Sequence, residues 1–444
     1  MIGLRNSTSS CVVRDAFSVN ATTQYALRNT RYAIRSGLAP LEISVFLTGL
    51  ALLLAMIISC ASTDSSRVVV MPGVDELPEI KELPDPFVTN DDSRVKTSPI
   101  GDTQRWADWD KRRKEIKAMM LYYQYGHWPS APKNITAEEL SSEVVYDGGA
   151  TKKHILLSMG PDRMIKINVG MLIPKGNGPF PVILKNDSSI FKVPIADQIV
   201  KRGYIVADYD RTNLDPDQKD TVGPAQAAYP DYDWATLAVW AWGGMRVIDY
   251  LVTLDVVDKE RIAFTGHSRG GKTALLAGAF DERIALVVPN GSGCGGAGCY
   301  RYAGEKSESL ERITAPDRFG YWFVPRFRDF ADKETKLPFD QHFLKALVAP
   351  RALISIDALG DLWANPYGTQ QSYRGTQPVF EFLGAGDKLG IYFRTGGHDQ
   401  NEDDWRTLVD FADKVFFKKA PASGKRFDQL PFSDAPKPFS WSMP

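Results

Sequence analysis

The segment Gly266-His267-Ser268-Arg269-Gly270 limits most strongly what this chain can fold into. A strand-like run at residues 261–265 precedes it, and a helix-like run at residues 272–280 follows it. Strand, G-x-S-x-G and helix in this order are typical of a nucleophile elbow, a strained turn in which the residues two positions from the serine must be small. We therefore predict that Ser268 is a nucleophile at the carboxyl end of a parallel strand, and the alternative is a plain strand-to-helix turn.

Strand-like and helix-like segments alternate after residue 103. Continuous apolar runs at residues 179–184 and 204–209 suit strands that are buried on both faces. The other strand-like segments are residues 155–157, 165–174, 285–288, 352–356 and 389–393, and the helix-like segments are residues 106–125, 196–202 and 234–254. This order predicts an α/β-hydrolase fold, with a mostly parallel central sheet, helices on both faces and an inserted cap at residues 300–337.

The N-terminal part of the chain has the pattern of an export signal. Residues 43–58 are almost wholly apolar, small residues and Cys60 follow them, and several arginines precede them. This pattern resembles a bacterial lipoprotein signal, in which the cysteine is lipidated, and an uncleaved anchor helix is the alternative. We predict an export segment at residues 1–60, a flexible tether at residues 61–102 and a catalytic domain at residues 103–444. We expect an exported protein, anchored by lipid to the outer membrane, in the periplasm or at the cell surface.

Charge and cysteine usage exclude several function classes. The formal net charge of the 444 residues is −1, which indicates neither a nucleic-acid partner nor an anionic membrane surface. The four cysteines and five histidines show no metal-ligand spacing, so we expect no metal site. We also expect no organic cofactor, because a serine nucleophile needs none, and we expect a monomer. Cys294 and Cys299 are near enough in sequence either to form a disulfide or to stay reduced.

A serine nucleophile requires a histidine base, and in this fold the chain order is serine, acid, histidine. Two histidines, His342 and His398, follow Ser268. His398 lies in a glycine-rich loop after the last predicted strand, so it is the predicted base. His342 leads into a helix and is interpreted as a structural residue.

The acid is expected just after the strand at residues 352–356. Asp361 follows this strand at a distance that reaches the second ring nitrogen of the histidine, and Asp357 is the alternative. The acid would hold the tautomer of the base and stabilise the imidazolium. Asp399 and the acidic residues 402–404 are interpreted as solvated charges.

The negative charge that develops on an ester carbonyl requires hydrogen-bond donors. The backbone N–H of Arg269 is one candidate, and the Arg269 guanidinium is another if it folds over the site. By its position after a buried strand, the loop at residues 185–188 is expected to supply a second backbone N–H.

Several blocks of the chain, in order from about residue 104 to 417, resemble carbohydrate esterase family 15, the glucuronoyl esterases. The blocks that carry the resemblance are Trp240-Ala241-Trp242-Gly243, Gly266-His267-Ser268-Arg269-Gly270-Gly271-Lys272, Ser292-Gly293-Cys294-Gly295-Gly296-Ala297, Leu337-Pro338-Phe339-Asp340-Gln341-His342, Asp361-Leu362-Trp363 and Gly397-His398-Asp399.

The resemblance implies a serine esterase that cleaves the ester between 4-O-methyl-glucuronic acid on xylan and an alcohol of lignin. It implies Ser268 as nucleophile, His398 as base and Asp361 as acid, with Arg269 at the oxyanion. It also implies three residues that contact the sugar, Lys272, Glu305 and Trp363.

The chain departs from the family at two places. Many members carry a glutamate where Gly291 and Cys294 stand here, so the role of the acid would rest on Asp361 alone. Fungal members have a disulfide at the positions of His267 and Asp399, so this bridge is absent. A different carbohydrate esterase, such as an acetyl-xylan deacetylase, and an inactive glycan-binding hydrolase are the alternative functions.

Overall fold

The computed structural model describes residues 71–96, 103–421 and 424–444. The predicted export segment, with Cys60, lies outside the described residues. Within these described ranges, no helix combines the length and the apolar composition that a bilayer span needs.

A nine-stranded sheet forms the centre of the domain. Its strands are β1 (Thr136–Val145), β2 (Ala150–Met159), β3 (Ile165–Pro174), β4 (Phe180–Asp187), β5 (Ile205–Asp210), β6 (Val257–His267), β7 (Ile284–Asn290), β8 (Ala352–Ala358) and β9 (Leu389–Arg394). Their order across the sheet is β1-β2-β3-β5-β4-β6-β7-β8-β9. The pairs from β1 to β5 are antiparallel, and all pairs from β5 to β9 are parallel, so the predicted mostly parallel sheet is confirmed.

Helices cover both faces of the sheet, as predicted. They are α1 (Thr103–Met120), α2 (Ala196–Lys201), α3 (Pro224–Ala228), α4 (Thr236–Leu251), α5 (Arg269–Phe280), α6 (Leu310–Thr314), α7 (Gln341–Ala346), α8 (Pro366–Phe382) and α9 (Glu402–Phe417). Val182 and Leu184 of β4 belong to the core that contains α4 and α5, whereas Ile183 belongs to the core that contains α2 and α9. Because successive side chains of a strand point to opposite faces, a strand between two cores has to be apolar throughout.

The edge strand β1 has no counterpart among the predicted strands. Its side chains are exposed at almost every position, and Glu139 and Glu143 form ion pairs with lysines of β2. A strand that buries neither face carries no alternation of polar and apolar residues, which explains why its sequence shows no strand pattern.

The prediction of a tether at residues 61–102 is wrong for residues 71–96, which pack on the domain. Leu83 and Phe87 are fully buried, and the Phe87 ring lies 5.2 Å from the ring of Phe382. The ring nitrogen Nε2 of His342 donates a hydrogen bond to the carbonyl of Pro84 at 2.8 Å, so the interpretation of His342 as a structural residue is confirmed. Proline and aspartate are the most frequent residue types in this segment, but its buried apolar side chains pack it against the domain.

The predicted cap at residues 300–337 is a packed, irregular segment that contains α6 and several short turns. Ile313, Trp322 and Phe327 are buried, and the rings of Phe319 and Trp322 stack at 4.2 Å. These buried and stacked side chains hold the segment beside the nucleophile elbow, where the Trp322 ring lies 4.9 Å from the Arg269 guanidinium.

We predict that Phe87→Ala lowers the free energy of unfolding by about 3–5 kcal/mol, because it removes a fully buried aromatic ring. Lys81→Ala, in the same segment but exposed, is the control and is expected to be neutral within about 0.5 kcal/mol. Chemical denaturation measures both values. Equal, small effects of the two substitutions would show that residues 71–96 do not belong to the folded unit.

Asp208, in β5, is a buried carboxyl group whose ionisation opposes folding. Its Oδ2 atom accepts backbone N–H bonds from Phe191 at 2.6 Å and Lys192 at 3.2 Å, whereas its Oδ1 atom is buried without a partner. Burial raises the pKa of Asp208 to about 7, and these two hydrogen bonds only partly offset the effect.

Asp208 therefore makes stability fall as pH rises. Between about pH 4 and pH 7 the carboxyl group holds its proton in the folded state and releases it on unfolding, so the folded state loses stability across this window. Asp208→Asn keeps an acceptor for the two N–H groups and does not titrate. Denaturation at pH 5 and pH 8 is expected to show a loss at least about 1 kcal/mol smaller in the variant than in the wild type, and an equal loss in both proteins would contradict the assignment.

Candidate active site

Ser268 occupies a strained turn between β6 and α5. Its backbone angles are φ 56° and ψ −120°, a region that non-glycine residues seldom adopt. A Cβ atom at Gly266 would lie 2.3 Å from the carbonyl oxygen of Gly270, and one at Gly270 would lie 2.9 Å from Oδ1 of Asn186. Both positions therefore require glycine, and the turn holds the serine hydroxyl above the end of β6.

The structure places the predicted nucleophile, base and acid in one hydrogen-bonded line. The Nε2 atom of His398 lies 3.0 Å from Oγ of Ser268, and its Nδ1 atom lies 2.5 Å from Oδ2 of Asp361. Asp361 is buried, and its Oδ1 atom accepts the backbone N–H of Ala364 at 3.2 Å. The alternative acid, Asp357, is buried deeper in β8 and has no hydrogen bond to His398; burial raises its pKa to about 7.

His267 and Asn290 support the base from one side, a role that the sequence did not predict for either residue. The His267 ring lies 4.5 Å from the His398 ring, and its Nδ1–H group donates to Oδ1 of Asn290 at 2.7 Å. Burial lowers the pKa of His267 to about 4, so its ring is neutral at pH 7 and does not repel an imidazolium at His398. The backbone carbonyl of Asn290 accepts the N–H of Ser268 at 2.9 Å. Asn290 is a polar residue at the end of an otherwise apolar strand, and this sequence feature could have predicted its role in the site.

Arg269 lies beside Ser268, as predicted, and Asp217 holds its side chain. The Arg269 Nη1 atom donates to Oδ2 of Asp217 at 2.5 Å, and the guanidinium lies 4.9 Å from the ring centre of Trp322. Burial alone would raise the pKa of Asp217, but the hydrogen bonds from Arg269 and Tyr321 outweigh burial and lower it. As the first residue of α5, Arg269 has a backbone N–H without an intrahelical partner.

A cleft of about 510 Å³ opens beside Ser268. The residues that line it are Lys185, Asn186, Asp187, Arg211, His267, Ser268, Arg269, His398, Asp399 and Gln400. Residues 185–188, predicted as a loop that supplies a second oxyanion donor, begin with the last three residues of β4, and these three line the cleft. The side-chain amide of Asn186 donates to the carbonyls of Thr265 and Gly270, so it ties β4 to the elbow.

Lys272 does not line this cleft, which differs from its expected contact with the sugar. Its side chain is fully buried, and Nζ donates at 2.6 Å to each of three acceptors, the carbonyls of Ser292 and Cys294 and the Oε2 atom of Glu308. A lysine has three N–H donors, so none is left for a sugar hydroxyl. Lys272 instead holds Glu308 in place.

The predicted sugar-binding glutamate, Glu305, is an exposed residue without a hydrogen bond or ion pair to the described part of the chain. A different glutamate, Glu308, contacts two of the predicted sugar-binding residues, Lys272 and Trp363. It is buried and forms an ion pair with Lys272. Its backbone N–H donates to the carbonyl of Trp363 at 2.9 Å. Trp363 is half-buried, and the guanidinium of Arg318 lies 5.3 Å from its ring centre.

The structure also decides the state of the two later cysteines and the burial of one acidic residue near His398. Cys294 and Cys299 are buried free thiols, which settles the alternative left open by their spacing. The interpretation of residues 402–404 as solvated charges is wrong for Asp404, which is buried and accepts a hydrogen bond from Nε of Arg394 at 2.8 Å. Within the described ranges, no three His, Cys, Asp or Glu residues form a group that could hold a metal ion.

Comparison with known proteins identifies the family. The family model described as "Glucuronyl esterase, fungi" matches residues 159–384. The chain is 31% identical over 395 residues to carbohydrate esterase MZ0003 from an unknown prokaryotic organism, an alignment that covers 74% of this chain and 89% of that protein. The chain belongs to carbohydrate esterase family 15, the glucuronoyl esterases.

Other members of family 15 support this assignment. The chain is 32% identical over 325 residues to 4-O-methyl-glucuronoyl methylesterase 1 of Wolfiporia cocos, over 71% of this chain and 75% of that protein. The solved family 15 glucuronoyl esterase from Caldicellulosiruptor kristjansonii is 30% identical and gives a TM-score of 0.68 over 84% of this chain and 99% of its own. This family 15 member is therefore a carboxylic ester hydrolase with the α/β-hydrolase fold.

The surroundings of Gly291 leave no room for the glutamate that the resemblance led us to expect at this place. A Cβ atom at Gly291 would lie 3.0 Å from Cε1 of His267 and 3.6 Å from Oδ2 of Asp361, and the backbone has φ +48°. The space of a side chain at this position is therefore taken by the His267 ring and by the acid that contacts His398.

We predict that Asp361→Asn lowers kcat by about 10⁴-fold, because an amide cannot stabilise the imidazolium and favours the wrong tautomer of His398. Asp357→Asn, an equal change four residues earlier, is the matched control and is expected to keep kcat within about tenfold of wild type. Steady-state hydrolysis of an activated ester measures both. A larger loss in Asp357→Asn than in Asp361→Asn would reverse the assignment of the acid.

Proposed function

We propose that this protein hydrolyses the ester that joins (4-O-methyl-)glucuronic acid on xylan to an alcohol of lignin. The observation that supports it best is the hydrogen-bonded line of Ser268, His398 and Asp361 beside the Arg269 guanidinium. Two relatives named 4-O-methyl-glucuronoyl methylesterase 1, which are 32% and 30% identical to this chain, support the choice of the acyl group.

The reaction proceeds through an acyl-enzyme. His398 takes the proton of the Ser268 hydroxyl as its oxygen attacks the ester carbonyl, and it returns the proton to the leaving alcohol. Water, activated by the same imidazole, then releases the uronic acid. Asp361 holds the Nδ1–H tautomer of His398 and stabilises the imidazolium in both steps.

Arg269 stabilises the oxyanion in this proposal. Its backbone N–H lies at the start of α5, where the helix dipole also favours negative charge. Asp217 and the Trp322 ring keep the guanidinium beside the elbow, so little reorganisation is needed when the charge develops.

The sugar lies on the β7–β8 side of Ser268. Trp363 offers a half-buried ring there, and Glu308 offers a carboxylate whose Oε2 atom is held by Lys272. Its Oε1 atom has no partner among the described residues and so remains able to accept a sugar hydroxyl. Glu308 thus takes the role that was predicted for Glu305, and Lys272 acts through Glu308.

A panel of esters tests the proposed function. The wild-type protein is expected to hydrolyse benzyl and methyl glucuronate, and Ser268→Ala is expected to lower kcat/KM by about 10⁴-fold or more. Ser433→Ala, an exposed serine far from the elbow in sequence, serves as the control with unchanged turnover.

Two outcomes would contradict the proposal. Release of acetate from acetylated xylan without turnover of either glucuronate would indicate an acetyl esterase. Binding of glucuronoxylan without turnover of any ester, unchanged in Ser268→Ala, would indicate an inactive glycan-binding protein.

A further inference from the structure

Arg211 is a buried cation on the wall of the catalytic cleft. It follows β5 directly, its side chain is 8% exposed, and its guanidinium lies 4.8 Å from the ring centre of Trp240. It lines the same cleft as Ser268, Arg269 and His398. Nothing in the proposed chemistry requires this residue.

The guanidinium of Arg211 makes no hydrogen bond with the described part of the chain. Its Nε atom is buried without a partner. Its Nη1 and Nη2 atoms lie 3.9 Å from carboxylate oxygens of Asp187 and Asp217, which is beyond hydrogen-bond length.

Both neighbouring carboxylates are committed to other cations. Asp187 pairs with Lys185 at 2.6 Å, and Asp217 pairs with Arg269 at 2.5 Å. Among the described cations that line the cleft, Arg211 is the one without a close ion pair. Burial lowers the pKa of Arg211, although Asp187 and Asp217 partly offset this.

A buried guanidinium without hydrogen bonds destabilises the fold, because the charge loses water and gains no acceptor. Side chains of this kind are typical of functional sites, where a ligand supplies the missing partners. A guanidinium binds carboxylates best, since its parallel N–H groups match the two oxygens.

The order of the strands decides which part of the substrate meets Arg211. Arg211 follows β5 and lies on the β4–β5 side of the nucleophile strand β6, whereas Asp361 and Trp363 follow β8 on the other side. An ester bound at Ser268 with its sugar toward Trp363 directs its alcohol toward Arg211. We propose that Arg211 binds a carboxylate on the alcohol part of the ester, an inference that rests on the proposed function.

The test compares esters that differ only in this charge. The probes are benzyl glucuronate and its 3- and 4-carboxybenzyl analogues, and the measured quantity is the ratio of kcat/KM for a charged ester to kcat/KM for the neutral one. The wild-type protein is expected to give a ratio of about ten or more for at least one analogue, since a hydrogen bond to a charged group contributes this much selectivity.

Two substitutions of Arg211 assign the preference to this residue. Arg211→Met, which keeps the aliphatic packing, is expected to lower the ratio to about one. Arg211→Lys, which keeps the charge but loses the fork of donors, is expected to lower the ratio several-fold. Lys219→Met removes an exposed positive charge outside the cleft lining and is expected to keep the wild-type ratio.

The outcomes separate this inference from the proposed function. A wild-type ratio near one, a ratio that survives in Arg211→Met, or an unchanged ratio in Arg211→Lys would overturn the inference while benzyl glucuronate is still hydrolysed. Equal losses on charged and neutral esters would leave the ratio unchanged and would assign Arg211 to the oxyanion instead. A wild-type protein that hydrolyses none of these glucuronates would overturn both proposals.

A measurement of stability gives independent evidence. If Arg211 is retained for a ligand, Arg211→Met is expected to keep or raise Tm, because it removes a buried charge that makes no hydrogen bond with the described residues and has its two nearest carboxylate oxygens at 3.9 Å. A Tm more than about 5 °C below wild type would instead assign the residue a structural role and contradict the inference.

Discussion

The strained backbone at Ser268 is the constraint on which the site depends. With φ at 56°, the residue turns the chain from β6 into α5 within one position. The turn closes only because Gly266 and Gly270 have no side chains to separate their backbones. Asn290 then anchors the Ser268 N–H to the neighbouring strand. Since the hydroxyl is fixed relative to the sheet, the loops after β8 and β9 need to bring only Asp361 and His398 to a defined point.

The parts of the fold that the sequence predicts are those in which the determining interactions are local or are imposed by burial. The runs at β4 and β5 are apolar because each strand separates two cores, and the glycine spacing around Ser268 reflects contacts within one turn. The edge strand β1 lacks this constraint, since its pairing with β2 uses backbone groups that any sequence possesses. Residues 71–96 were wrongly predicted as a tether for another reason. Phe87 packs on Phe382 and the N–H of Leu83 donates to the carbonyl of Pro438, and both partners lie more than 290 residues away in sequence.

Some residues of the candidate site could likewise be predicted from the sequence, and others could not. Chain order and strand ends placed His398 and Asp361 without any knowledge of loop conformation, and the structure joins both to Ser268. The direction of Lys272 depends on where the Ser292–Cys294 backbone passes, and the choice between Glu305 and Glu308 depends on the path of an irregular loop. Neither is encoded by spacing. Asp217 is harder still, because it reaches Arg269 from a loop more than fifty residues earlier.

The charges around the cleft fall into two groups with different physical consequences. Lys185 with Asp187, and Arg269 with Asp217, are paired at hydrogen-bond distance, so each pair fixes the position of its cation, and the second pair keeps the Arg269 guanidinium beside Ser268. Arg211 has no such pair, and its burial is therefore a cost to folding that its contact with Trp240 offsets only in part. In our proposal Arg269 stabilises the oxyanion, whereas Arg211 binds a carboxylate of the substrate. Because the sheet order sets that side chain apart from Trp363 and Glu308, the two sides of the nucleophile strand are able to recognise the two parts of an ester independently.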